Sequence, residues 1–237
     1  MNPGITLVLP AHNEGESIRS TLLEMDAKIR SSLKVFIFVS EDGSRDNTRS
    51  EVLEAAKIVK TCQIVLAEPS DRLGYSRGVL RGISECNTEL IAFMDADGQC
   101  DPADFESLME KVQGGKIVVG HRNPRNDSKT RIVYSKAFGV IYRFFGGPKR
   151  KDPSSPFVVC YLRDIRFLVD TTPQLSFGFW WEFQSRIHKR GIGVVETPIN
   201  HRIRSAGKTQ VYTLPRIPRI VYTHLVGLYK LHKELNS

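Results

Sequence analysis

The sequence predicts an α/β fold with a mostly parallel central sheet and helices on both faces. Through the first 120 residues, short apolar runs alternate with amphipathic stretches, which is typical of repeated strand–helix–strand units. The apolar runs are β-branched and aromatic without interposed polar positions, as in parallel strands that are covered on both faces. The chain has 237 residues, no internal repeat and no low-complexity linker, so we expect one domain over 1–237.

The predicted strands of the first half are residues 5–9, 35–39, 63–66, 90–94 and 117–119. Helical spacing of apolar residues predicts helices between them at 17–29, 48–59, 75–83 and 102–112. In the first helix, Ile18, Leu22 and Met25 recur every three or four residues. Pro102 directly follows Asp101, which is typical of a helix that begins with an acidic cap and a proline.

The second half is less regular. Its patterns predict a helix at 130–145 ended by Gly146 and Gly147, a strand at 157–162, a helix at 179–189 and a strand at 193–198. From residue 214 onward, apolar residues again recur every three or four positions. Pro215 and Pro218 are expected to confine the regular helix to the part that follows them.

The formal net charge of +8 is unevenly distributed along the chain. Residues 1–120 carry a net charge of −6, whereas 121–151 carry +8 and 201–237 carry +6. Two basic segments of this kind favour a polyanionic partner, such as a phosphorylated ligand, an anionic membrane surface or nucleic acid. A solvated basic face is the alternative interpretation of the charge alone.

Several classes of protein do not fit the sequence. No apolar run is long enough to span a bilayer and the first residues lack a secretion signal, so we expect a cytoplasmic chain. The four cysteines lack CxxC spacing and are expected to be reduced thiols, and the six histidines lack the paired spacing of a zinc site. Residues 74–78 do not form the GxGxxG motif of a dinucleotide-binding dehydrogenase.

Polar loops follow three of the predicted strands, at residues 10–14, 40–46 and 95–99. The carboxyl ends of parallel strands meet at one edge of a sheet, where ligands of open α/β folds bind. Asp95 and Asp97 lie one residue apart in the third loop, and such a pair can hold a divalent cation that bridges a diphosphate. A simple turn is the alternative for an Asp-x-Asp pair, but it explains three acidic loops less well.

The motifs LPAHNE, EDGSRDNT, GYSRGVLRGI, FMDADGQCDP, GHR and HRIRSAGKT occur in this order along the chain. Together they resemble the family 2 inverting glycosyltransferases, and more narrowly the dolichol-phosphate mannose synthase and polyprenyl-phosphate glycosyltransferase branch. The resemblance implies a GT-A fold with a Rossmann-like sheet. It also implies sugar transfer from a nucleotide-diphosphate-sugar to a polyprenyl or dolichyl phosphate at the cytoplasmic face of a membrane.

On the donor side, the resemblance implies a nucleotide-sugar and metal half over 1–120. The implied nucleotide-sugar-binding residues are Pro10, Ala11, Glu14, Asp42, Ser44, Asp95, Ala96, Arg204 and Lys208. Asp95, Asp97 and Gln99 are the implied ligands of Mg²⁺ or Mn²⁺. Gly98 stands where that branch often has Leu and is expected to loosen the loop. GDP-mannose is the nearest donor by analogy, with UDP-glucose and UDP-N-acetylglucosamine as alternatives.

The resemblance also implies an acceptor half over 121–212. Arg122, Arg131 and Ser135 are implied to bind the acceptor phosphate, for which a planar guanidinium is suited because it binds phosphate oxygens in pairs. The implied catalytic residues are Asp97, Arg122, Arg131 and Arg204. Residues 152–157 resemble the acceptor loop of the family, and 213–237 form an amphipathic helical segment that packs either on the domain or on the bilayer.

A phosphate acceptor needs no general base, because a phosphate monoester with a second pKa of about 6 is already largely ionised at neutral pH. Glu182 lies near the position where related alcohol-using enzymes carry their base, so it is either a base or a residue that orients the acceptor helix. A hydroxyl acceptor on a glycolipid or polysaccharide is therefore the alternative. Membrane attachment is expected by peripheral contact or through a membrane partner protein. A basic nucleic-acid-binding protein is a further alternative from another class, but nucleic acid is not an expected partner because no recognised nucleic-acid-binding motif is present.

Overall fold

The computed structural model describes residues 2–69, 71–127, 129–176, 178–203 and 217–237. A seven-stranded sheet forms its centre. The strands are β1 (Asn2–Ala11), β2 (Val35–Glu41), β3 (Gln63–Leu66), β4 (Thr88–Phe93), β5 (Lys116–Arg122), β6 (Val158–Tyr161) and β7 (Gly193–Ile199). Their order is β3-β2-β1-β4-β6-β5-β7, and β6 is antiparallel to both neighbours while the other pairs are parallel. The predicted α/β fold with a mostly parallel sheet is confirmed.

Helices cover both faces of this sheet. They are α1 (Ile18–Lys28), α2 (Thr48–Ala56), α3 (Tyr75–Glu85), α4 (Phe105–Met109), α5 (Lys129–Phe144), α6 (Leu162–Ile165), α7 (Phe179–Lys189) and α8 (Ile217–Asn236). The buried residues of α1, α2 and α4 form one apolar cluster, and those of α3, α6 and α7 form a second cluster. A smaller third cluster joins α5, α7 and α8 through Tyr142, Trp181 and Leu228. Helices α5 and α8 therefore add an outer layer beside α7.

The structure differs from the predicted elements at four places. The helix expected at 102–112 is a 3-10 turn, Pro102–Asp104, followed by the short α4. Helix α6 and the 3-10 turn Arg166–Asp170 were not predicted, because each is too short to show the helical spacing of apolar residues. Helix α8 includes Pro218 in its first turn, where the missing N–H costs no hydrogen bond. Strand β3 is an edge strand with alternating exposed positions, so it is not covered on both faces.

Helix α3 lies unusually close to the centre of the sheet. A Cβ atom at Gly82 would stand 2.3 Å from a methyl group of Val8 in β1, so only glycine permits this approach. One turn earlier, the Ser40 hydroxyl at the end of β2 donates to the Gly78 carbonyl at 2.8 Å. These contacts hold α3 against β1 and against the carboxyl end of β2.

The carboxyl edge of the sheet holds the topological switch point of the fold. From β1 the chain proceeds outward to β2 and β3, and it then returns to place β4 on the other side of β1. Loops diverge from the ends of β1 and β4, and a crevice opens between them at such a point. Among the helices that the structure describes, none combines the length and the hydrophobicity that spanning a bilayer requires.

Candidate active site

The loops after β1 and β2, which were predicted to lie at one edge of the sheet, are hydrogen-bonded to each other. The backbone N–H of Asn13 donates to the Ser44 hydroxyl at 3.0 Å, and that of Glu14 donates to the Thr48 hydroxyl at 2.9 Å. Glu41 accepts a hydrogen bond from the Ser44 N–H at 2.5 Å. Backbone donors and side-chain acceptors therefore hold one rigid double loop beside the switch point.

Asp42 binds backbone groups of its own chain, whereas the resemblance implies that it binds the nucleotide-sugar. Its side chain is buried, and its two carboxylate oxygens accept from the N–H groups of Leu73 at 2.5 Å and Gly74 at 2.9 Å. Gly74 has a φ of +89°, which favours glycine, and it directly precedes α3. Asp42 thus connects the end of β2 to the beginning of α3.

The remaining donor-side predictions are placed as follows. Pro10 and Ala11 end β1, where Pro10 is half-buried and Ala11 is buried. Ala96 is buried between the two aspartates of the third loop. Arg204 and Lys208 lie outside the described residues.

The third loop places Asp95, Asp97 and Gln99 beyond the end of β4. Asp97 accepts from the Gln99 N–H at 3.1 Å, and Gly98 between them has a φ of +71°. Gly98 therefore shapes a tight turn that another residue would strain, which corrects the expectation that it loosens the loop. Both carboxylates are half-buried, and Gln99 is buried.

Asp95 is the end of a short chain of hydrogen bonds. The indole N–H of Trp180 in α7 donates to the Tyr75 hydroxyl at 2.8 Å, and this hydroxyl donates to Asp95 Oδ1 at 2.7 Å. Trp180 is fixed in turn by an edge contact with Phe93 of β4, with ring centroids 5.4 Å apart. These two hydrogen bonds connect β4, α3 and α7 at the Asp95 carboxylate.

The charges around Asp95 suit a cation. Burial and the neighbouring charge of Asp97 raise the pKa of Asp95 to about 6, against the lowering effect of the Tyr75 hydroxyl. A divalent ion would relieve this repulsion, and two carboxylates with an amide oxygen are hard ligands that Mg²⁺ and Mn²⁺ accept. The residues therefore fit the implied ion. In the described part of the chain, no group of three or more His, Cys, Asp or Glu side chains is arranged to hold a metal.

The segment after β7 is bound to this loop. The Arg202 N–H donates to the Gln99 carbonyl at 2.7 Å, and the Gln99 side-chain amide donates to the Arg202 carbonyl at 3.2 Å. The Arg202 side chain forms ion pairs with Glu24 and Asp101. His201 is buried beside them, and burial followed by the charge of Arg122 lowers its pKa. His201 was not predicted as a site residue, although it begins the HRIRSAGKT motif.

Arg122 ends β5 in a buried ion-pair network. Its guanidinium binds both carboxylate oxygens of Asp152, at 2.6 and 2.8 Å, and donates to the Ser154 hydroxyl at 2.6 Å. The Arg122 side chain is only 5% exposed. These hydrogen bonds and the charge of Arg122 outweigh burial and hold the pKa of Asp152 near 2. The Arg122 guanidinium is therefore already paired with a carboxylate of the protein, whereas the resemblance implies that it binds the acceptor phosphate.

Two further arginines border this network. Arg131 pairs with Asp127 at 3.0 Å, and Arg125 binds Asp127 at 2.5 Å and donates to the Ser135 hydroxyl at 3.0 Å. Burial and the nearby charge of Arg122 lower the pKa of Arg125, which shows that cations are crowded here. The structure thus places Arg131 and Ser135 in the lining of one cavity together with Arg125.

Arg125, Arg131 and Ser135 line a cavity of about 360 Å³ between α5, α7 and α8. Along α5 the lining changes from polar, with Arg131 and Ser135, to apolar, with Phe138 and Ile141. Asp95 and Tyr75 contribute to the polar part of the lining. The other lining residues are Arg125, Tyr134, Ala137, Ser154, Ser176, Gly178, Phe179, Trp180, Trp181, Ile220, Val221, His224 and Leu225. The cavity is therefore amphipathic.

Glu182 does not face this cavity. Its side chain is buried, and one oxygen accepts from the N–H groups of Gln174 and Leu175, both at 2.8 Å. The other oxygen pairs with Arg186 at 2.7 Å, and Arg186 also pairs with Glu234 of α8 at 2.6 Å. Of the two interpretations left open by the sequence, this geometry favours a residue that positions the segment before α7.

Tyr75, Trp180 and Arg125 are site residues that sequence reasoning missed. Tyr75 lies in the GYSRGVLRGI motif, so a signal existed, but its partner across the cavity could not be seen from the motif. Trp180 is a buried aromatic residue, and its hydrogen bond to the Tyr75 hydroxyl gives it a role that its residue type alone does not indicate. Arg125 lies only three residues after Arg122 in the basic segment, where charge alone did not distinguish it.

The chain is similar to several curated proteins and solved structures. It is 33% identical over 152 residues to an undecaprenyl-phosphate 4-deoxy-4-formamido-L-arabinose transferase of Pseudomonas paraeruginosa, covering 60% of this chain and 44% of that protein. It is 25% identical over 232 residues to the enzyme of that name from Salmonella paratyphi A, covering 92% of this chain and 65% of that protein. The chain thus spans about half to two thirds of the length of these relatives.

Solved structures of glucosyl-3-phosphoglycerate synthase from Mycobacterium tuberculosis have the same fold. The complex with Mn²⁺, UDP and phosphoglyceric acid superposes with a TM-score of 0.69 at 16% identity, covering 98% of this chain and 79% of that one. The complex with Mn²⁺ and UDP-glucose gives a TM-score of 0.66 at 15% identity, covering 98% and 80%. At this identity the likeness concerns the fold alone, and it confirms the predicted GT-A type.

The family model described as Glycosyl transferase family 2 matches residues 6–170. The matched part contains all three strand-end loops, the Asp95–Asp97 pair and Arg131. This match covers more than half of the chain, and it confirms the resemblance on which the predicted roles depend. The chain therefore belongs to glycosyl transferase family 2.

Proposed function

We propose that this chain transfers a sugar from a nucleotide-diphosphate donor to a polyprenyl phosphate. The observation that supports this most directly is the amphipathic cavity beside Asp95. Its polar part offers Arg125, Arg131 and Ser135 to a phosphate, and its apolar part along Phe138 and Ile141 offers a path for a hydrocarbon chain. The curated relatives, by their names, act on undecaprenyl phosphate.

The arginines supply the charge that an acceptor phosphate requires. Arg122, Arg125 and Arg131 bring three guanidinium groups to two carboxylates, those of Asp127 and Asp152. A phosphate at Arg125 and Arg131 would compensate the excess positive charge and relieve the crowding of cations. We assign Arg122 a positioning role, because Asp152 and Ser154 occupy its guanidinium, while Arg125 and Arg131 line the cavity.

The donor would lie at the switch point between β1 and β4. Asp95, Asp97 and Gln99 would hold Mg²⁺ or Mn²⁺, with diphosphate oxygens and water as the other ligands. Such an ion supplies positive charge to the leaving diphosphate. The double loop after β1 and β2 would border the nucleoside, and Arg204 and Lys208 stay predicted contacts of the diphosphate.

A hydroxyl acceptor is less well supported. That alternative depended on Glu182 as the base, and the Glu182 carboxylate binds two backbone N–H groups and Arg186 instead. A phosphate acceptor needs no base, since it is already ionised at neutral pH. The chemistry and the position of Glu182 therefore agree with a phosphate nucleophile.

The test is a transfer assay with radiolabelled sugar nucleotides, Mn²⁺ and detergent-dispersed polyprenyl phosphate, with label measured in the lipid extract. Asp97→Ala and Arg131→Ala should each reduce turnover about a hundredfold or more. The matched controls are Glu106→Ala, an exposed acid in α4, and Lys136→Ala, an exposed cation in α5. Activity of Asp97→Ala and Arg131→Ala at the level of these controls would contradict the assigned roles.

The donor is a separate question for the same assay. The panel includes GDP-mannose, UDP-glucose and UDP-N-acetylglucosamine, together with nucleotide-activated aminodeoxy pentoses, because the relatives' name contains formamido-arabinose. A thermal shift with each nucleotide and Mn²⁺ would identify the base first, since a ligand of the native state raises its melting temperature. Equal shifts with and without the metal would contradict the proposed ion.

A further inference from the structure

Helix α5 exposes an apolar stripe to solvent. Val133, Ala137, Val140 and Phe144 follow one another at intervals of four, three and four residues, so they lie on one side of the helix. Val133 is 63% exposed, Val140 59% and Phe144 85%. Large apolar side chains in a row at such exposure indicate a surface that contacts something apolar.

Helix α8 exposes a second stripe. Tyr222 is 70% exposed and Tyr229 60%, and Val221 and Leu225 beside them are 45% and 38% exposed. Tyrosine has an apolar ring and a polar hydroxyl, which suits the boundary between water and lipid. The stripe therefore has the composition of an interfacial helix.

The two stripes border one opening. Helices α5 and α8 run side by side in the same direction, since Phe138 packs on His224 with centroids 4.8 Å apart and the Phe145 carbonyl contacts the His232 ring nitrogen at 2.9 Å. Ala137 of the first stripe and Leu225 of the second also line the cavity. The apolar lining of the cavity thus continues onto the outer surface of both helices.

Positive charge accompanies these stripes. Arg143 and Lys149 are exposed at the end of α5 and just beyond it, and Lys230 and Lys233 are exposed on α8. The basic segment 121–151 carries a net charge of +8. Cations beside an exposed apolar stripe complement anionic lipid headgroups, because the negative surface potential of the bilayer attracts them.

We propose that the outer surface of α5 and α8, formed by Val133, Val140, Phe144, Tyr222 and Tyr229, docks on an anionic lipid bilayer. The apolar side chains enter the headgroup boundary, and the flanking cations contact the lipid phosphates. The cavity mouth then opens at the membrane. The inference rests on the proposed function in one respect, namely that a polyprenyl phosphate would pass directly from the bilayer into the cavity.

The test is flotation of the 237-residue chain with vesicles of phosphatidylcholine alone or with about 30% phosphatidylglycerol. The chain should float with the anionic vesicles, and about 0.5 M NaCl should release much of it. The triple variant Phe144→Ser, Tyr222→Ser and Tyr229→Ser should bind the anionic vesicles at least about tenfold more weakly. The reason is that the three apolar side chains no longer become buried in lipid. Leu53→Ser, at a residue 49% exposed on α2, is the matched control and should bind like the unmodified chain.

Unchanged binding of the triple variant, equal binding to neutral vesicles, or no flotation of the unmodified chain would each overturn the proposal. A dimer of the unmodified chain that the triple substitution dissociates, without flotation, would assign the stripes to self-association and overturn it as well. Turnover separates this inference from the proposed function. The triple variant should keep its activity on detergent-dispersed farnesyl phosphate, whereas flotation of a chain that transfers no sugar would support the surface and contradict the enzyme.

Discussion

The donor and acceptor sides of the site hold their polar groups by different means. On the donor side, side chains accept from backbone N–H groups, as Asp42 does from Leu73 and Gly74. On the acceptor side, side chains pair with side chains, as Arg122 does with Asp152. A backbone-bound loop keeps its shape when charge changes, whereas an ion-pair network depends on its charge balance. We therefore expect the proposed acceptor side to be more sensitive to acid and to bound anions than the proposed donor side.

The largest effect is expected from removal of Asp152. Asp152→Ala would leave the Arg122 guanidinium buried without its bidentate partner, so the free energy of unfolding should fall by about 3–5 kcal/mol. Asp42→Ala, on the donor side, should cost about 1–3 kcal/mol because its partners are neutral N–H groups. Urea unfolding measures both, with the exposed Asp71→Ala as the control. Equal losses for Asp42 and Asp152 would remove the distinction between the two sides.

Glu182→Gln is expected to have the next largest effect, and on stability rather than chemistry. The amide keeps the shape of the side chain but loses the charge that pairs with Arg186, so unfolding should become easier by about 1.5–3 kcal/mol. Turnover should change by no more than about threefold, with an unchanged pH profile. A general base would behave otherwise, because its loss costs about a hundredfold or more in rate at little cost in stability.

The third test uses acid to break the same network. Arg122 holds the pKa of Asp152 near 2, below its ordinary value of 3.8, so the folded state favours the ionised carboxylate. The resulting stability is complete above about pH 4 and is lost as the pH falls toward 2, and it amounts to about 2 kcal/mol. Asp152→Asn should remove this part of the pH dependence. Parallel curves for the two proteins between these pH values would show that the pair is not coupled in this way.

The sequence predicts the donor side better than the acceptor side for a physical reason. Parallel strands bring the ends of β1, β2 and β4 to one edge, so the sequence pattern alone places the loops 10–14, 40–46 and 95–99 together. On the acceptor side, β6 inserts antiparallel between β4 and β5. This insertion carries Asp152 to the end of β5 beside Arg122, 30 positions away in the chain.

The partner of a single side chain is equally hard to predict. Helical spacing placed Glu182 in α7 with the correct bounds, Phe179–Lys189. It could not show that the carboxylate turns toward Gln174 and Leu175, because that depends on the path of the segment before the helix. Motifs predict candidate residues of the site, whereas the partners of those residues are visible only in the packed chain.

The smallest effect is expected from Tyr75→Phe, which tests the link between the two sides. The Tyr75 hydroxyl accepts from Trp180 and donates to Asp95, so its loss should destabilise the fold by about 1 kcal/mol. The pKa of Asp95, already raised to about 6 by burial and by Asp97, should rise further because a donor to its ionised form is gone.

Carbon-13 NMR titration of the aspartate carboxyl groups measures the change at Asp95, with Tyr161→Phe as the matched control. The aromatic ring of Tyr161 packs under Arg163, and phenylalanine preserves that contact. An unchanged Asp95 titration in Tyr75→Phe would mean that this hydroxyl does not control the carboxylate. The two sides would then influence Asp95 through the charges of Asp97, Arg122 and Arg131.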